Sequence, residues 1–339
     1  MNIKTNFKKV LSYLSVLIVG IFSNTATNAA EIIIDAQTQV SNAVAGTVNI
    51  VTTTDTLVIL DTEVLDTGNE AGTVAILTSK GTTTAANSTL AISGTMGLTV
   101  TGNVITAASA NMTITVDDGA TNSLKIGGNT TAASGEPITI ILEGANASFL
   151  EFNGATQTIG AVILSDANKD GTMKITGSGT KTFSGIIGAT TELGSITTAA
   201  NTTAVFSAAA DTVAVTNAGS IQFDGATVAT AIANTGTVAI NNATTGVGAA
   251  STTITMTGAA TVLNMNGEAS KSQTMVVVAG TDAHGTINIS DASGAAAAAV
   301  NTISGAIGTA SKKVKELNIG TATANGSAVL TAAGFADAV

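Results

Sequence analysis

A short pattern, two apolar residues separated by one residue, recurs about every 24 residues along most of the chain. Its copies begin at Val48, Val74, Leu98, Leu124, Leu150, Met173, Ile196, Ile221, Val238, Leu263, Ile287 and Leu317. Repeats of this length are typical of solenoids, in which each unit buries its apolar face only by stacking on its neighbours. The repeat therefore constrains the fold more than any other feature of the sequence.

Each copy alternates apolar and polar residues, which indicates a β-strand with one buried face. A second strand of this kind usually precedes it, for example at Ile114 or Val213, and Gly, Asn, Asp and Ser lie between the two as turn residues. We therefore predict an all-β fold, a right-handed parallel β-solenoid (β-helix) of about 12 coils. Tandem β-sandwiches are the alternative because their turns are similarly spaced, but the steady repeat favours the solenoid.

The N-terminus has the pattern of a secretory signal peptide. Lys4, Lys8 and Lys9 precede an apolar segment over residues 10–22, and small residues follow it, with Ala29 at the expected cleavage position. The apolar segment is too short for an ordinary transmembrane helix, although a membrane anchor is the alternative. We predict a signal peptide over residues 1–29, cleaved after Ala29 or the next residue, and one solenoid over residues 30–339 with no transmembrane segment.

Charge and composition narrow the classes of partner. Removal of the leader leaves nine Lys against 22 acidic residues, a net charge of −13, and the chain contains no Arg, Cys or Trp. An acidic chain without Arg argues against nucleic-acid binding. An exported chain without Cys uses no disulfide, which suits a bacterial envelope better than a small secreted disulfide scaffold.

Two segments repeat each other: FSGIIGATTELGSI at 183–196 and ISGAIGTASKKVKEL at 303–317. Together with the leader and the Gly-Thr-Val-x-Ile units, they resemble the passenger regions of bacterial autotransporters, most of all rickettsial cell-surface antigens. The resemblance implies surface display, adhesion or a surface-layer role. Such proteins end in a translocator barrel, whose alternating aromatic pattern the final residues GSAVLTAAGFADAV lack. We therefore expect a fragment of a larger autotransporter, a gene remnant, or a protein exported by another route.

One stretch resembles a metal site. Asp166, Asn168 and Asp170 alternate and are followed by Gly171, as in the first half of a calcium-binding loop. Such a loop needs a bidentate Glu at its twelfth position and helices on both sides, but that position is Gly177 and strands flank the stretch. We interpret the stretch as a polar turn and keep calcium as a candidate ligand; no other cofactor is predicted.

No set of residues predicts catalysis. His284 lies in a polar turn close to Asp282, and the paired acids Asp117 and Asp118 also lie in turn-like sequence. A second acidic group, Asp61, Glu63 and Asp66, belongs to an acidic first quarter that we interpret as a charged rim preventing end-to-end stacking. The basic cluster Lys312, Lys313 and Lys315 is either a solvated turn or a contact for an anionic partner.

The sequence thus predicts a non-enzymatic exported bacterial protein at the cell surface, in the outer membrane or outside the cell. It would act as an adhesin or a surface-layer-type rod and would bind host-cell partners or other copies of itself through the faces of the solenoid. The alternatives are an exported β-helix that binds or cleaves polysaccharides, or a fragment of a larger autotransporter.

Overall fold

Parallel β-strands build the whole of the described structure. The computed structural model describes residues 31–34, 56–60, 64–66, 72–74, 76–80, 86–92, 97–106, 110–117, 123–132, 137–143, 148–167, 169–241, 252–266, 271–273, 275–290, 300–320 and 327–339. None of these residues is helical, so none forms a helix long and apolar enough to cross a membrane. The predicted leader lies outside these residues.

The longest sheet contains fourteen strands, one from each successive coil. In spatial order they are β1 (Glu31–Ile34), β2 (Thr56–Leu60), β5 (Ile76–Lys80), β8 (Val104–Thr106), β11 (Thr130–Thr131), β14 (Gln157–Ile159), β17 (Gly179–Phe183), β19 (Thr202–Phe206), β21 (Ser220–Phe223), β23 (Thr237–Ile240), β25 (Val262–Met265), β28 (Thr286–Ile289), β30 (Val314–Ile319) and β32 (Ala336–Ala338). Every neighbouring pair of strands in this sheet is parallel, so the chain has to leave the sheet and cross over between them.

Three further sheets complete the coils. The ten-stranded sheet contains β4 (Gly72–Val74), β7 (Leu98–Val100), β10 (Ser123–Ile126), β13 (Phe149–Phe152), β16 (Asp170–Ile175), β18 (Leu193–Thr198), β20 (Ala210–Asn217), β22 (Thr227–Asn234), β24 (Thr252–Met256) and β27 (Met275–Ala279). The five-stranded sheet contains β3 (Val64–Asp66), β6 (Ala86–Ile92), β9 (Ala110–Val116), β12 (Ile138–Leu142) and β15 (Val162–Ser165). The three-stranded sheet contains β26 (Lys271–Gln273), β29 (Val300–Ile303) and β31 (Ser327–Leu330).

These sheets confirm the predicted parallel β-solenoid, with a spacing of about 23 residues between stacked strands. Parallel pairing excludes tandem antiparallel sandwiches for the described residues, because sandwich strands return through turns and pair antiparallel. The long sheet counts fourteen strands where the repeat predicts about 12 coils. Its first and last strands, β1 and β32, lie outside the span over which the sequence pattern is visible.

One column of paired residues runs through the long sheet from β1 to β30, the first thirteen of its fourteen strands. Its members are Ile32, Leu57, Leu77, Val104, Thr130, Ile159, Phe183, Phe206, Phe223, Ile240, Met265, Ile289 and Ile319. From Leu77 to Ile289 their side chains are buried. Each coil therefore buries its apolar residue against the same position of the coils before and after it, as stacking requires.

Aromatic residues fill the middle of this core. Phe183 and Phe206 stack with ring centroids 4.8 Å apart, and Phe206 and Phe223 stack at 5.3 Å. Phe152, which enters from the ten-stranded sheet, meets Phe183 edge-on at 5.3 Å. All four rings are buried, so the few aromatic residues of the chain are concentrated where they bury most apolar area.

Two asparagine side chains form hydrogen bonds with backbone groups at an interior corner of the coils. Asn217 and Asn234 are fully buried, and the Nδ2 of Asn217 donates to the Oδ1 of Asn234 at 2.9 Å. The Oδ1 atoms accept from the backbone N–H groups of Gly219 and Gly236, and the Nδ2 of Asn234 donates to the carbonyl of Val262. Buried polar groups with such partners avoid the cost of desolvation, so the two residues tie consecutive corners together.

The coils become shorter where these asparagines lie. The register advances by 23 residues from Met173 to Ile196, by 19 from Ile196 to Val215 and by 17 from Val215 to Ile232. The five-stranded sheet ends at β15, and from β18 to β25 the described residues of each coil form one strand in each of the two long sheets. The solenoid therefore changes from three-sided to two-sided coils without interrupting its core.

The Ser-Gly-x-Ile-Gly motif, which occurs in both repeated segments, forms the same corner twice. Ile187 and Ile307 each make a one-residue parallel bridge to the coil before and to the coil after. The glycines that follow, Gly188 and Gly308, have φ angles of 70° and 65°. Their N–H groups donate to the preceding coil at 2.8 and 2.7 Å. Glycine suits this place because other residues adopt positive φ only at a cost.

We predict that Phe206→Ala lowers the free energy of unfolding by about 3–5 kcal/mol, because the substitution leaves a cavity between two stacked rings. Chemical denaturation of the purified chain measures the change. The control is Thr203→Ala, an outward position of the same strand, which we expect to change stability by less than about 0.5 kcal/mol. Equal effects of the two substitutions would contradict the stacked aromatic core.

Candidate functional surface

From β17 to β28 the outward positions of the long sheet carry no charged residue. They are Thr180, Thr182, Thr203, Val205, Ser220, Gln222, Thr237, Ala239, Val262, Asn264, Thr286 and Asn288, of which Ala239 is buried. We call this set the polar face. Parallel strands lie about 4.8 Å apart, so its hydroxyl and amide side chains lie in rows along the rod, which Val205, Ala239 and Val262 interrupt.

Amide hydrogen bonds order part of the polar face. The Nδ2 of Asn288 donates to the Oδ1 of Asn264 at 2.9 Å, and the Nδ2 of Asn318 in the next coil donates to the Oδ1 of Asn288 at 3.0 Å. Each amide keeps further hydrogen-bonding capacity for solvent or a partner. The hydrogen-bonded asparagines are already held in fixed positions. A partner that binds them therefore loses less free energy to the ordering of side chains.

The ten-stranded sheet carries a compact charged group instead. The Nζ of Lys125 lies 3.5 Å from the Oε2 of Glu151, whose other oxygen accepts from the Oγ1 of Thr176 at 2.7 Å. In the following coil the Nζ of Lys174 lies 3.8 Å from the ring centroid of Phe149. These contacts are partly exposed, so each contributes only modestly to stability.

The calcium candidate forms a corner between β15 and β16. Asp166 is exposed and its Oδ1 accepts from the backbone N–H of Ala167 at 2.8 Å, while Asp170 begins β16. Lys169 and Gly171 have φ angles of 80° and 71°. Asn168 lies outside the described residues. Within the described part of the chain, no three acidic or His side chains form a group that could hold a metal ion.

The other sequence-predicted candidates do not meet in one place. The Oδ1 of Asp282 accepts from the backbone N–H of Lys313 at 2.8 Å, and the Nδ1 of His284 makes no hydrogen bond. Asp66 in β3 and Asp117 directly after β9 lie on the same five-stranded sheet but two coils apart, because Asp66 aligns with Ala91 of β6 and Ala91 aligns with Thr115 of β9. The remaining acids of these groups, Asp61, Glu63 and Asp118, lie outside the described residues.

The basic cluster lies at the last described coils. The Nζ of Lys313 contacts the Oδ1 of Asp337 at 3.2 Å, whereas Lys312 and Lys315 are exposed. The cluster precedes and enters β30, and its two exposed ammonium groups contact no acidic side chain among the described residues, so they are available to an anionic partner.

Lys181 is a feature that sequence reasoning missed. Its side chain is fully buried, and its Nζ donates to the carbonyls of Gly177 and Ser178 at 2.9 and 3.0 Å. Burial lowers the pKa of the Lys181 ammonium below its ordinary value, because the charged form loses its hydration. The signal was present in the sequence, since Lys181 shares the inward positions of β17 with Phe183.

Comparison of the chain with protein-family models, with curated proteins and with solved structures gives no match.

We predict that Lys181 makes stability depend on alkaline pH. Its pKa is lowered in the folded state, so between that value and 10.5 the unfolded chain binds more protons. The free energy of unfolding should therefore rise with pH across this interval. Lys181→Met should remove that rise in denaturation experiments at several pH values, whereas Lys312→Met, at an exposed lysine, should keep it. A rise that persists in Lys181→Met would contradict the buried ammonium.

Calcium binding at the β15–β16 corner can be tested by isothermal titration of the wild type and of Asp166→Ala. If the corner is only a solvated turn, addition of calcium should give the same heat for both proteins. If calcium binds there, the wild type should release or absorb heat that Asp166→Ala does not. A matched variant, Asp224→Ala, removes a carboxylate at another site and controls for the change in net charge.

Proposed function

We propose that the protein is a non-enzymatic structural rod displayed at the surface of a bacterial cell, acting as an adhesin or a surface-layer subunit. In this role it binds its partners through a large contact surface along its length and needs no cofactor. The proposal covers export through the leader, location outside the cytoplasm, and contact with host cells or with other copies of the chain.

The polar face is the observation that carries the proposal. It spans six consecutive strands of the long sheet, and none of its outward residues is charged. Nine of its twelve side chains are Thr, Ser, Asn or Gln, which favour many weak hydrogen bonds over one strong contact. Such a surface suits a partner that is itself extended and repetitive.

The architecture supports the same role. A solenoid has contacts only between neighbouring coils, so the number of coils sets the length of the rod and its binding surface together. Corners are built by repeated devices, such as Gly188 and Gly308, that serve the stacking of coils.

Surface display can be measured with single cysteines, because the chain contains no Cys. We expect Thr158→Cys, at an exposed position of β14, to react with a membrane-impermeant maleimide on intact cells that express the chain. Ile159→Cys is the matched control, since Ile159 is fully buried and should react only after denaturation. Labelling of Thr158→Cys only after cell lysis would contradict display at the surface.

A further inference from the structure

We propose that the outer side of the five-stranded sheet binds an extended polypeptide segment that carries apolar and basic side chains at alternate positions. The binding site is an apolar patch, formed by Ile141, Val162, Leu164 and Ile186, next to a column of three acidic residues. The patch lies on a different sheet from the polar face. Its binding goes beyond the proposed function, because it does not depend on display of the chain at a cell surface.

Apolar side chains take the place of threonines on the outer side of β12 and β15. Two columns of outward residues run along the sheet, Thr89, Thr113, Thr139 and Val162 in one and Ala91, Thr115, Ile141 and Leu164 in the other. Ile141, Val162 and Leu164 are partly exposed, whereas Ile140 and Ile163, which alternate with them, are fully buried. The three side chains therefore lie together on the surface and not in the core.

Ile186 extends the apolar patch into the next coil. The N–H of Ile163 donates to the carbonyl of Ile186 at 3.0 Å, and Ile187 bridges to Ile163, so Ile186 lies beside Val162 in the stack. The side chain of Ile186 is 42% exposed, whereas Ile187 is buried. Contiguous exposed apolar side chains gain free energy when a partner removes them from water.

An acidic column borders the apolar patch. Its members, Asp117, Glu143 and Asp166, directly follow β9, β12 and β15, and the N–H of each donates to a carbonyl of the preceding coil, at 3.0, 2.8 and 3.1 Å. The three residues therefore occupy equivalent positions in consecutive coils. Even with Lys169 exposed in the same corner as Asp166, this border carries more negative than positive charge. Charge complementarity thus favours a cationic partner.

The alternation of the strands specifies the sequence pattern of the partner. Along β15 the outward positions are Val162, Leu164 and, directly after the strand, Asp166. Alternate residues of an extended chain lie about 6.7 Å apart, so a partner in β conformation places an apolar, an apolar and a basic side chain opposite these three. It would pack face to face on the sheet, as the sheets of a sandwich do. A helix, with its period of about 3.6 residues, does not match this spacing.

Titration of the purified full chain with three synthetic peptides tests the proposal. The Leu-Lys peptide, Ser-Leu-Ser-Leu-Ser-Lys-Ser with blocked ends, places two Leu and one Lys on the same side of an extended chain. One comparison peptide has Glu in place of Lys, and the other has Ser in place of both Leu. At low salt we expect the Leu-Lys peptide to bind at least about tenfold more tightly than either, measured by fluorescence anisotropy. No binding of the Leu-Lys peptide, or equal binding of the Glu peptide, would overturn the proposal.

Matched substitutions locate the binding on the apolar patch. Val162→Thr and Leu164→Thr together should weaken binding of the Leu-Lys peptide by about tenfold, because they remove apolar contact area while Thr still suits a strand. Val205→Thr makes the same kind of change at a partly exposed position of the polar face, and it should leave binding unchanged. An equal loss of affinity in Val205→Thr would place the binding elsewhere and overturn the proposal.

A charge reversal separates loss of binding from misfolding. Asp166→Lys should bind the Glu peptide more tightly and the Leu-Lys peptide less tightly than the wild type does, which a misfolded chain would not do. The preference between the two peptides should change by about tenfold at low salt. Asp224→Lys, directly after β21 of the long sheet, makes the same change elsewhere and should keep the preference of the wild type. An unchanged preference in Asp166→Lys would overturn the role of the acidic column.

A second copy of the chain is the other occupant of the apolar patch that must be tested. Sedimentation velocity of the wild type without peptide should show no association that the Val162→Thr and Leu164→Thr substitutions abolish. Such an association would overturn the proposal in favour of contact between two copies through the patch. Failure of Thr158→Cys labelling on intact cells, in contrast, would contradict surface display and leave peptide binding by the purified chain intact.

Discussion

In-register stacking of parallel strands is the constraint on which the rest of the structure depends. A single coil has no interior of its own, and its apolar residues become buried only when the same positions of both neighbours lie against them. The column from Ile32 to Ile319 shows how strictly this holds, since each member pairs directly with the next. Side chains at inward positions therefore pack against the same positions of the neighbouring coils, as the stacked rings of Phe183 and Phe206 do.

The same constraint explains why the coils can change length. Loss of the five-stranded sheet after β15 removes one side of the coil, but the two long sheets keep their register. The corner that results would leave backbone groups unpaired, and Asn217 and Asn234 supply the missing partners. Coil length is thus adjustable where polar side chains close the corner, whereas strand register in the long sheets is not.

The sequence predicts the fold class well because the repeat expresses this constraint directly. It predicts the coils less well, since the copies from Val74 to Ile196 belong to the ten-stranded sheet and those from Ile221 onward to the fourteen-stranded sheet. The step from Ile196 to Ile221 is about one repeat long, yet it joins two different sheets. The repeat alone therefore does not reveal the 19-residue advance from Ile196 to Val215. Lys181 was missed because lysine is usually exposed. Its burial follows from the alternation within β17, where Lys181 lies on the same side of the strand as Phe183. The turn at Asp166 was recognisable as a turn, whereas ligand binding there depends on distances that sequence spacing does not determine.

A solenoid differs from a globular domain in that one register determines both its interior and its surface. Outward residues such as Asn264 and Asn288 repeat at the spacing that stacking imposes on the core, and their amides bond to one another across coils. A substitution at an outward position therefore changes the binding surface with little effect on the core, whereas a change of register would alter both.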